Sequence, residues 1–449
     1  MQEDKNNSGN EPETVNEREE RTLKFWQDNK IFEKSLAKES PAGEFVFYDG
    51  PPFATGEPHY GHILAGTIKD IIPRYKTMKG YYVSRRWGWD CHGLPIENLI
   101  EAELGLKSKK DIETLGIAKF NSAAKDSVLR YEKDWKRIVP RVGRFVDMEA
   151  PYKTMDWTYT ETIWWIFKTL FDKDLIYEGY KAMHLCPRCE TTLANFEVNQ
   201  GYKDITDLSL IGKFELVEEP GTFVLAWTTT PWTLPGNVAL AVGPEIEYVK
   251  IRIKKEESKI EVQNSKLEDE YSLYILAKER LSVIKDEYKV VGEMKGGELI
   301  GKKYKPLFDY YASDVTLRNR ENGWKIYGAE FVTTVDGVGV VHIAPAFGED
   351  DMNLGMKEKL PFVQHVGTNG QMRPEVKDFA GLFVKSKDNK DTGADHQSTD
   401  IEVIKNLAHR GLLFAKEKIV HSYPHCWRCD TPLLNYASSS WFVKVTEIK

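Results

Sequence analysis

Two Cys-x-x-Cys pairs constrain this chain more than any other feature of its sequence. Cys186 and Cys189 form the first pair, and Cys426 and Cys429 form the second, with residues 190–425 between them. Four thiolates with this spacing are typical of a structural zinc site, whose tetrahedral shell leaves no position open for water. The wide separation indicates an inserted domain whose outgoing and returning strands are held together at its base. A redox disulfide pair and free buried thiols are the alternatives.

The composition indicates a multidomain protein of the cytoplasm. With 449 residues, 41% of them hydrophobic, the chain can form about three domains. Five cysteines suit a reducing compartment, and the remaining Cys91 is expected to be a packing residue. The formal net charge of -7 excludes the global basic field of a histone-like protein. No apolar run approaches the ~20 residues that cross a bilayer, so we expect no membrane association.

Strand, loop and helix alternate twice near the N-terminus. Residues 45–48 (FVFY) predict a short strand, and residues 61–72 predict a helix that kinks or ends near Pro73. Residues 82–87 predict a second strand, followed by a loop and a helix with Pro95 in its first turn. This order favours a parallel α/β sheet, whose ligands bind at the carboxyl ends of the strands.

The other patterns separate a helical part from a strand-rich part. Apolar residues at helical spacing predict further helices at residues 17–35, 120–138 and 161–175. From about residue 199 to 418 the chain changes to strand-rich segments, such as 222–228 and 338–344, between loops rich in glycine, proline and charge. This change predicts a separate β-rich domain.

The loop after the first predicted strand has the features of a phosphate-binding site. A helix N-terminus presents unpaired N–H groups and a positive dipole end, and glycines allow close approach of the backbone. The residues expected to contact a phosphate chain are Gly50, Pro51, Pro52, His59, Gly61 and His62. The two imidazoles are expected to stabilise charge on the departing phosphate group. A bare His-x-x-His has the alternative of two surface or capping histidines.

Two longer strings in this region resemble the signatures of class I aminoacyl-tRNA synthetases. They are FYDGPPFATGEPHYGHILAGTIKD and RRWGWDCHGLPIE, and the resemblance extends over nearly all of residues 20–449. The second string is similar to that of the isoleucine-specific members, whereas leucine members typically show Ala-Phe-Gly-Leu-Pro there and valine members His-Ala-Gly. The resemblance implies a Rossmann-type catalytic domain that uses ATP with Mg²⁺, L-isoleucine and tRNA(Ile). We expect the protein to be a monomer.

The same resemblance implies an amino-acid pocket. Asp90 would hold the α-ammonium group, because a carboxylate at a strand end is a natural partner for a cation. Pro52 and Trp441 would form the walls around the isoleucine side chain. The alternatives are an aspartate that caps the following turn, and plain core residues, with Trp441 in a buried strand.

Two strings in the strand-rich part, AWTTTPWTLPGN and DGVGVVHIAPAFGEDD, resemble the two halves of the editing pocket in isoleucine, valine and leucine synthetases. Without that resemblance, a threonine run is most simply explained by β-propensity. The resemblance implies catalytic roles for Thr228, Thr229, Thr230 and Asp351, and a pocket that includes Trp232, Asn237 and His342. The threonines and Asn237 would bind the ester-linked adenosine and orient water, and Asp351 would hold the free ammonium group.

The substrate explains why such a pocket is needed. Valine lacks one methylene of isoleucine, and a hydrophobic pocket gains only ~1–3 kcal/mol from it, for which this family's enzyme is the standard example. A second site that admits the smaller side chain and hydrolyses its ester supplies the remaining selectivity.

These motifs predict a domain order along the chain. The expected segments are a disordered tail (1–16), the first half of the catalytic domain (17–185), a zinc knuckle (186–198), an inserted editing domain (199–418), a second knuckle (419–436) and the start of the second catalytic half (437–449).

Parts of the synthetase pattern do not occur in this sequence. Neither a Lys-Met-Ser-Lys-Ser loop nor an anticodon-binding helical domain is found, so we expect a fragment of the synthetase that retains editing. A stand-alone aminoacyl-tRNA deacylase, a valyl-tRNA synthetase and a non-catalytic zinc-containing tRNA-binding module are the alternatives. The string Asp90-Cys-His-Gly-Leu-Pro95 argues against the valine enzyme.

Overall fold

Two units of different secondary structure make up the chain, a largely helical one at Met1–Leu175 and a strand-rich one at Ile176–Lys449. The computed structural model describes residues 13–53, 55–106, 109–254, 271–385 and 397–448. Most of the tail predicted at residues 1–16 lies outside the described residues. Its last part begins the first helix, where Thr14 caps the N-terminus through its hydroxyl.

The first unit contains a parallel strand pair among helices. Its strands are β1 (Arg86–Trp89) and β2 (Asp147–Lys153), and its helices are α1 (Val15–Asp28), α2 (Ile31–Ala37), α3 (Tyr60–Met78), α4 (Leu94–Leu104), α5 (Lys109–Leu115), α6 (Ile117–Ser127), α7 (Glu132–Arg141) and α8 (Trp157–Asp172). Parallel bridges also join Glu44 to Tyr82 and Phe53 to Asp90. The predicted parallel α/β organisation is therefore confirmed.

The strand predicted at residues 45–48 is not found in the structure, although Phe45 is hydrogen-bonded to the neighbouring segment. The Phe45 N–H donates to the Tyr82 carbonyl, and the Asp90 N–H donates to the Pro52 carbonyl, each at 2.9 Å. Tyr48 is 93% exposed, so the apolar run is not a buried strand in this unit.

Two of the predicted helices are each divided in two. The helix expected at 120–138 is broken at Leu129, and the one expected at 17–35 is broken at Lys30. Both residues have left-handed backbone (φ 70° and 48°), which a continuous right-handed helix does not accommodate. In contrast, α3 continues past Pro73, which is buried. None of the helices in the described part of the chain combines the length and apolarity needed to span a bilayer.

Three tryptophans form the centre of the first unit's core. Trp87 and Trp89 lie on the same face of β1, two residues apart, and both pack against Trp135 of α7 with ring centroids 5.8 Å away. All three are nearly inaccessible to solvent. The core therefore fixes the strand that leads to Asp90.

The second unit is built from strands, with short helices at its edges. Its strands are β3 (Ile176–Cys186), β4 (Thr191–Leu193), β5 (Tyr202–Glu215), β6 (Thr222–Thr228), β7 (Ala239–Val242), β8 (Glu247–Lys254), β9 (Tyr271–Ala277), β10 (Tyr288–Lys295), β11 (Lys325–Gly328), β12 (Val340–Ile343), β13 (Leu413–Pro424) and β14 (Leu434–Val443). Its α-helices are α9 (Asn195–Val198), α10 (Glu349–Lys357), α11 (Ser398–His409) and α12 (Val445–Ile448).

A nine-stranded mixed sheet dominates this unit. The order along it is β10-β8-β9-β6-β12-β7-β11, with β5 also paired to β6 and β13 paired to β5. The strands predicted at 222–228 and 338–344 are β6 and β12, and both lie near the middle of this sheet. The centre of the sheet therefore holds both strings that resemble an editing pocket.

Two antiparallel pairs connect the outgoing and returning parts of the chain. β3 pairs with β14, and β5 pairs with β13. The first cysteine pair begins at the last residue of β3 and precedes β5, and the second pair lies between β13 and β14. The strands that flank the knuckles are thus held together on both sides, as the cysteine spacing predicts.

Substitution of Gly201 by alanine is expected to lower the stability of the second unit. A Cβ atom there would lie 1.9 Å from the carbonyl oxygen of His425, whose N–H donates to the Gly201 carbonyl at 2.8 Å. The backbone must then shift where β5 begins and β13 ends, and such overpacking costs about 1–3 kcal/mol. Calorimetry of Gly201→Ala measures the loss. In the control Gly297→Ala the Cβ atom meets nothing closer than 3.8 Å, and equal losses in both variants would contradict the prediction.

Candidate functional site

The four predicted zinc ligands lie together in the second unit. The Cys429 Sγ atom is 3.5 Å from that of Cys186 and 3.7 Å from that of Cys189, and all four ligand atoms lie within 4.8 Å of one another. None of the four cysteines forms a disulfide. The two knuckles, distant in sequence, therefore make one cluster.

The two knuckles have matching backbone turns. Glu190 and Asp430, each directly after the second cysteine of its pair, have left-handed backbone with φ of 50° and 65°. Leu193, Val198 and Leu433 pack around the cysteines in a small core of their own. The internal similarity of the two sequences thus corresponds to a similarity in structure.

This cluster fits a tetrahedral metal ion. Metal–sulfur bonds of about 2.3 Å give sulfur–sulfur edges of about 3.8 Å, close to the separations of Cys429 from Cys186 and Cys189. Hydrogen bonds among the thiols lower the pKa of Cys429, with that of Cys186 the largest cause, and raise the pKa of Cys186, with that of Cys189 the largest cause. Four sulfur ligands can hold one zinc ion in a structural role.

A chain of hydroxyl groups connects the threonine string to His342. The Thr230 Oγ1 atom lies 3.3 Å from that of Thr228 and 3.2 Å from that of Thr233. The Thr233 Oγ1 atom lies 2.8 Å from the Nε2 atom of His342 and donates to the Thr230 carbonyl at 2.7 Å. Thr229 lies between the first two and is half-buried. The structure thus brings strands β6 and β12 together through their polar side chains.

The direction of these hydrogen bonds follows from the number of protons. Because the Thr233 hydroxyl proton goes to the Thr230 carbonyl, its oxygen must accept from the Thr230 hydroxyl and from Nε2 of His342. Burial lowers the pKa of His342 to about 4, with a smaller contribution from His365, so the ring is neutral near pH 7. Its proton is on Nε2, and its Nδ1 atom is an acceptor 3.5 Å from the amide nitrogen of Asn237.

Asn237 is held at both ends of its side chain. Its amide nitrogen donates to the Ala239 carbonyl at 2.9 Å, and its amide oxygen accepts from the Tyr304 hydroxyl at 2.7 Å. The Trp324 indole N–H donates to the backbone carbonyl of Asn237 at 3.1 Å. The amide is therefore fixed in one orientation before any ligand binds.

Asp351 joins the same region from the first turn of α10. Its Oδ2 atom accepts from the N–H of Ala344, just after β12, at 2.8 Å. Although the residue is only partly buried, its carboxyl group is surrounded by protein, and this burial raises its pKa to about 7. Ionisation of the Asp351 carboxyl group therefore costs free energy unless a cation lies beside it. Such an environment is expected of a group that binds an ammonium ion.

In the first unit, His59 and His62 lie at the N-terminus of α3. The Nδ1 atom of His59 accepts from the Gly61 N–H at 3.1 Å, and that of His62 accepts from the His59 N–H at 3.2 Å. Burial, followed by the charges of His59 and Lys69, lowers the pKa of His62. With both Nδ1 atoms accepting backbone N–H groups, the Nε2–H group of each ring is the one that can be donated to an anion.

The loop that precedes α3 is tied to the helix by charge. Lys69 donates to the Gly50 carbonyl at 3.0 Å and pairs with Asp49 at 2.5 Å, and Arg144 also pairs with Asp49. Pro51 and Pro52 follow in this loop and are half-buried. The sequence-predicted phosphate residues therefore come from one short loop and the first turn of one helix.

Asp90 lies beside Pro52 at the end of β1. Burial raises the pKa of its carboxyl group, while the N–H of His92 and the hydroxyl of Thr154 donate to it. The bond from His92 shows that the residue also caps its own turn, which was the alternative interpretation. Trp441 lies in β14 of the second unit, where its side chain is 56% exposed, so the strand is not buried at that position.

Several residues with polar contacts in these sites escape sequence reasoning. Thr233, Tyr304 and Thr154 each bond a predicted site residue. Thr233 has a usable signal, because it follows Thr230 by three positions in a turn-forming string. Tyr304 and Thr154 have none, since they approach from distant segments that lack any motif.

The chain has identifiable relatives. The model of the class I tRNA synthetases (I, L, M and V) matches residues 21–449. The isoleucine–tRNA ligase of Treponema denticola is 46% identical over 463 residues, covering 96% of this chain and 40% of that protein. That of Bdellovibrio bacteriovorus is 46% identical and covers 96% and 38%, and the probable cytoplasmic isoleucine–tRNA ligase of Dictyostelium discoideum is 43% identical and covers 96% and 39%. The chain spans about 40% of the length of these relatives.

Two solved structures also align with it in part. A crystal structure of the ternary complex of Agrobacterium radiobacter K84 LeuRS with tRNA and LeuAMS is 18% identical, with a TM-score of 0.30, and covers 91% of this chain and 50% of that one. The crystal structure of GlLeuRS-CP1 is 13% identical, with a TM-score of 0.31, and covers 46% and 98%.

Proposed function

Because the chain belongs to the class I tRNA synthetases of the I, L, M and V group, we propose that it carries amino-acid activation and editing functions of an isoleucine–tRNA ligase. The synthetic reaction joins L-isoleucine to tRNA(Ile) and converts ATP to AMP and pyrophosphate. The editing reaction hydrolyses the ester of mischarged valyl-tRNA. The sequence identity to isoleucine–tRNA ligases supports isoleucine as the substrate.

The hydroxyl chain from Thr228 to His342 is the observation that carries the editing proposal. An ester hydrolase without a nucleophilic side chain must hold a water molecule against the carbonyl carbon, and hydroxyl and amide groups of fixed orientation do this. Asn237 is fixed by Tyr304, and the hydroxyls are ordered by the neutral His342. We assign Thr228, Thr229, Thr230 and Asn237 to the adenosine and the water.

Asp351 is assigned to the α-ammonium group of the mischarged amino acid. A buried carboxylate gains most from a cation that arrives with the substrate, because the cation offsets the cost of burying the charge. Trp232 and His342 border this site in our proposal. A free ammonium group distinguishes an aminoacyl ester from a peptide bond, so the contact would select the correct class of substrate.

The first unit is assigned to activation. His59 and His62 would donate their Nε2–H groups to the phosphates of ATP, which is bound with Mg²⁺ over residues 50–52 and Gly61. Asp90 would bind the isoleucine ammonium group, and Pro52 would contact the side chain. Charge that develops on pyrophosphate in the transition state is then met by two oriented donors.

The remaining parts of the proposal concern organisation. The four cysteines would hold one structural Zn²⁺. The domain limits would be those predicted from the sequence motifs, except that the first helix already begins at Val15. We propose a monomer that acts in the cytoplasm.

Two assays on the full chain test the proposal. Hydrolysis of valyl-tRNA(Ile) at a rate well above the spontaneous one, with slower hydrolysis of isoleucyl-tRNA(Ile), is the expected editing result. Isoleucine-dependent exchange of labelled pyrophosphate into ATP tests activation. Hydrolysis without exchange would restrict the chain to a deacylase, exchange that is faster with valine than with isoleucine would indicate the valine enzyme, and the absence of both activities would overturn the proposal.

A further inference from the structure

The two peptide groups on either side of the Trp232 Cα atom are each held by a buried side chain that is distant in sequence. The Trp232 N–H donates to Asp400 Oδ1 at 2.9 Å, and the Trp232 carbonyl accepts from His365 Nε2 at 2.9 Å. Both side chains are at most 2% exposed. Trp232 lies in the 3₁₀ turn Pro231–Gly236, between the N-cap Thr230 and Thr233, so its two peptide groups set the path of the hydroxyl-bearing backbone.

The protonation state and the close packing of His365 suit its hydrogen bond to the Trp232 carbonyl. Burial lowers its pKa to about 4, so the neutral ring has one proton, which must lie on Nε2 to reach the Trp232 carbonyl. Within the described part of the chain its Nδ1 atom has no hydrogen-bond partner. The ring approaches the turn closely because Gly236 has no side chain, since a Cβ atom there would lie 2.2 Å from Nδ1.

Asp400 belongs to a buried ionic cluster. Lys385 lies 2.6 Å from Asp207 and 3.8 Å from Asp400, and all three are at most 2% exposed. His421 of β13 contacts Asp207 at 2.9 Å. A buried carboxylate needs such a cation to stay ionised, and an ionised acceptor makes the stronger bond to the Trp232 N–H.

We propose that His365 and Asp400 are positioning residues that fix the two peptide groups of Trp232 and thereby align the Thr230 and Thr233 hydroxyls for ester hydrolysis. This inference rests on the proposed editing function and assigns it a supporting layer of side chains. The Thr233 N–H donates to the Thr230 carbonyl around this residue at 3.0 Å, so rotation of either Trp232 peptide group would misplace both hydroxyls and the His342 bond.

Paired substitutions in the full chain test this role. Asp400→Asn keeps an acceptor oxygen and His365→Gln keeps a donor, whereas Asp400→Leu and His365→Phe remove them at similar volume. The Leu and Phe variants are expected to lower kcat for valyl-tRNA(Ile) hydrolysis by about 10-fold to 100-fold, as misplaced catalytic groups do, with little change in KM. The Asn and Gln variants should recover most of that loss.

Hydrogen exchange gives a readout that does not depend on activity. Backbone amides of residues 228–237 should exchange faster in Asp400→Leu and His365→Phe than in the wild type, while Asp400→Asn remains protected. Gly236→Ala, which displaces the His365 ring without touching Asp400, should reproduce the His365→Phe result and serves if a Leu or Phe variant does not fold.

The outcomes are distinguishable. A wild-type chain that does not hydrolyse valyl-tRNA(Ile) would refute the editing function, while hydrogen exchange would still test the positioning role. Wild-type hydrolysis with unchanged kcat in Asp400→Leu, His365→Phe or Gly236→Ala would overturn the inference. So would Asn and Gln variants as impaired as the Leu and Phe variants.

Discussion

Replacement of Cys429 by serine is expected to remove bound zinc from the chain and to lower the melting temperature of the second unit by about 10 °C or more. Structural zinc contributes several kcal/mol or more to the domain that it closes, and each kcal/mol corresponds to roughly 2–4 °C in a unit of this size. The wild-type chain should contain one zinc ion. Cys429 is an informative position because its sulfur lies within 3.7 Å of both members of the first pair.

Elemental analysis and calorimetry of chains purified without chelator measure both effects. Cys91→Ala is the matched control, because Cys91 is buried in the first unit and belongs to a different core. It should keep one zinc ion and leave the melting of the second unit unchanged. Retention of zinc in Cys429→Ser, or a wild-type chain without zinc after metal-replete expression, would contradict the assignment.

The local motifs were sufficient to predict which residues meet when the motif itself fixes the geometry. A Cys-x-x-Cys turn places both thiols on one side. Each turn supplies two of the four ligands of a zinc site, so two such turns are expected to meet at one ion. The same is true of α3, where His59 and His62 lie in a strand-to-helix turn and cap the helix that follows. In these cases short-range sequence determines the arrangement.

Sequence patterns did not predict the structure where it depends on the backbone conformation of a single residue or on contact with a distant segment. Leu129 and Lys30 break helices whose apolar spacing continues without interruption, because periodicity reports which face is buried and not the φ of one residue. His365 and Asp400 contact Trp232 from 133 and 168 residues away. No local pattern marks them, since their role exists only after the sheet has formed.

The buried carboxyl group of Asp351 makes the stability of the second unit depend on pH, and substitution of this residue tests that dependence. Its carboxyl group has a pKa of about 7 in the folded chain and an ordinary value of 3.8 when exposed. Between these values the folded state keeps a proton that the unfolded state has lost, so the contribution of this group to stability falls as pH rises from about 4 to 7. Above pH 7 the full cost applies, with an upper limit of about 4 kcal/mol.

Asp351→Asn is therefore expected to stabilise the second unit at pH 8 and to have little effect at pH 4, because an amide cannot ionise and still accepts from the Ala344 N–H. The same change should lower kcat/KM for valyl-tRNA(Ile) hydrolysis by about tenfold to a hundredfold, the value of a charged hydrogen bond, since the ammonium group loses its partner. Calorimetry at both pH values and single-turnover hydrolysis measure the two effects, with the exposed neighbour Asp350→Asn as control. A carboxylate that serves only folding would give the opposite sign at pH 8, so a variant that is less stable there, or that hydrolyses at the wild-type rate, would exclude ammonium binding as the reason for burying this charge.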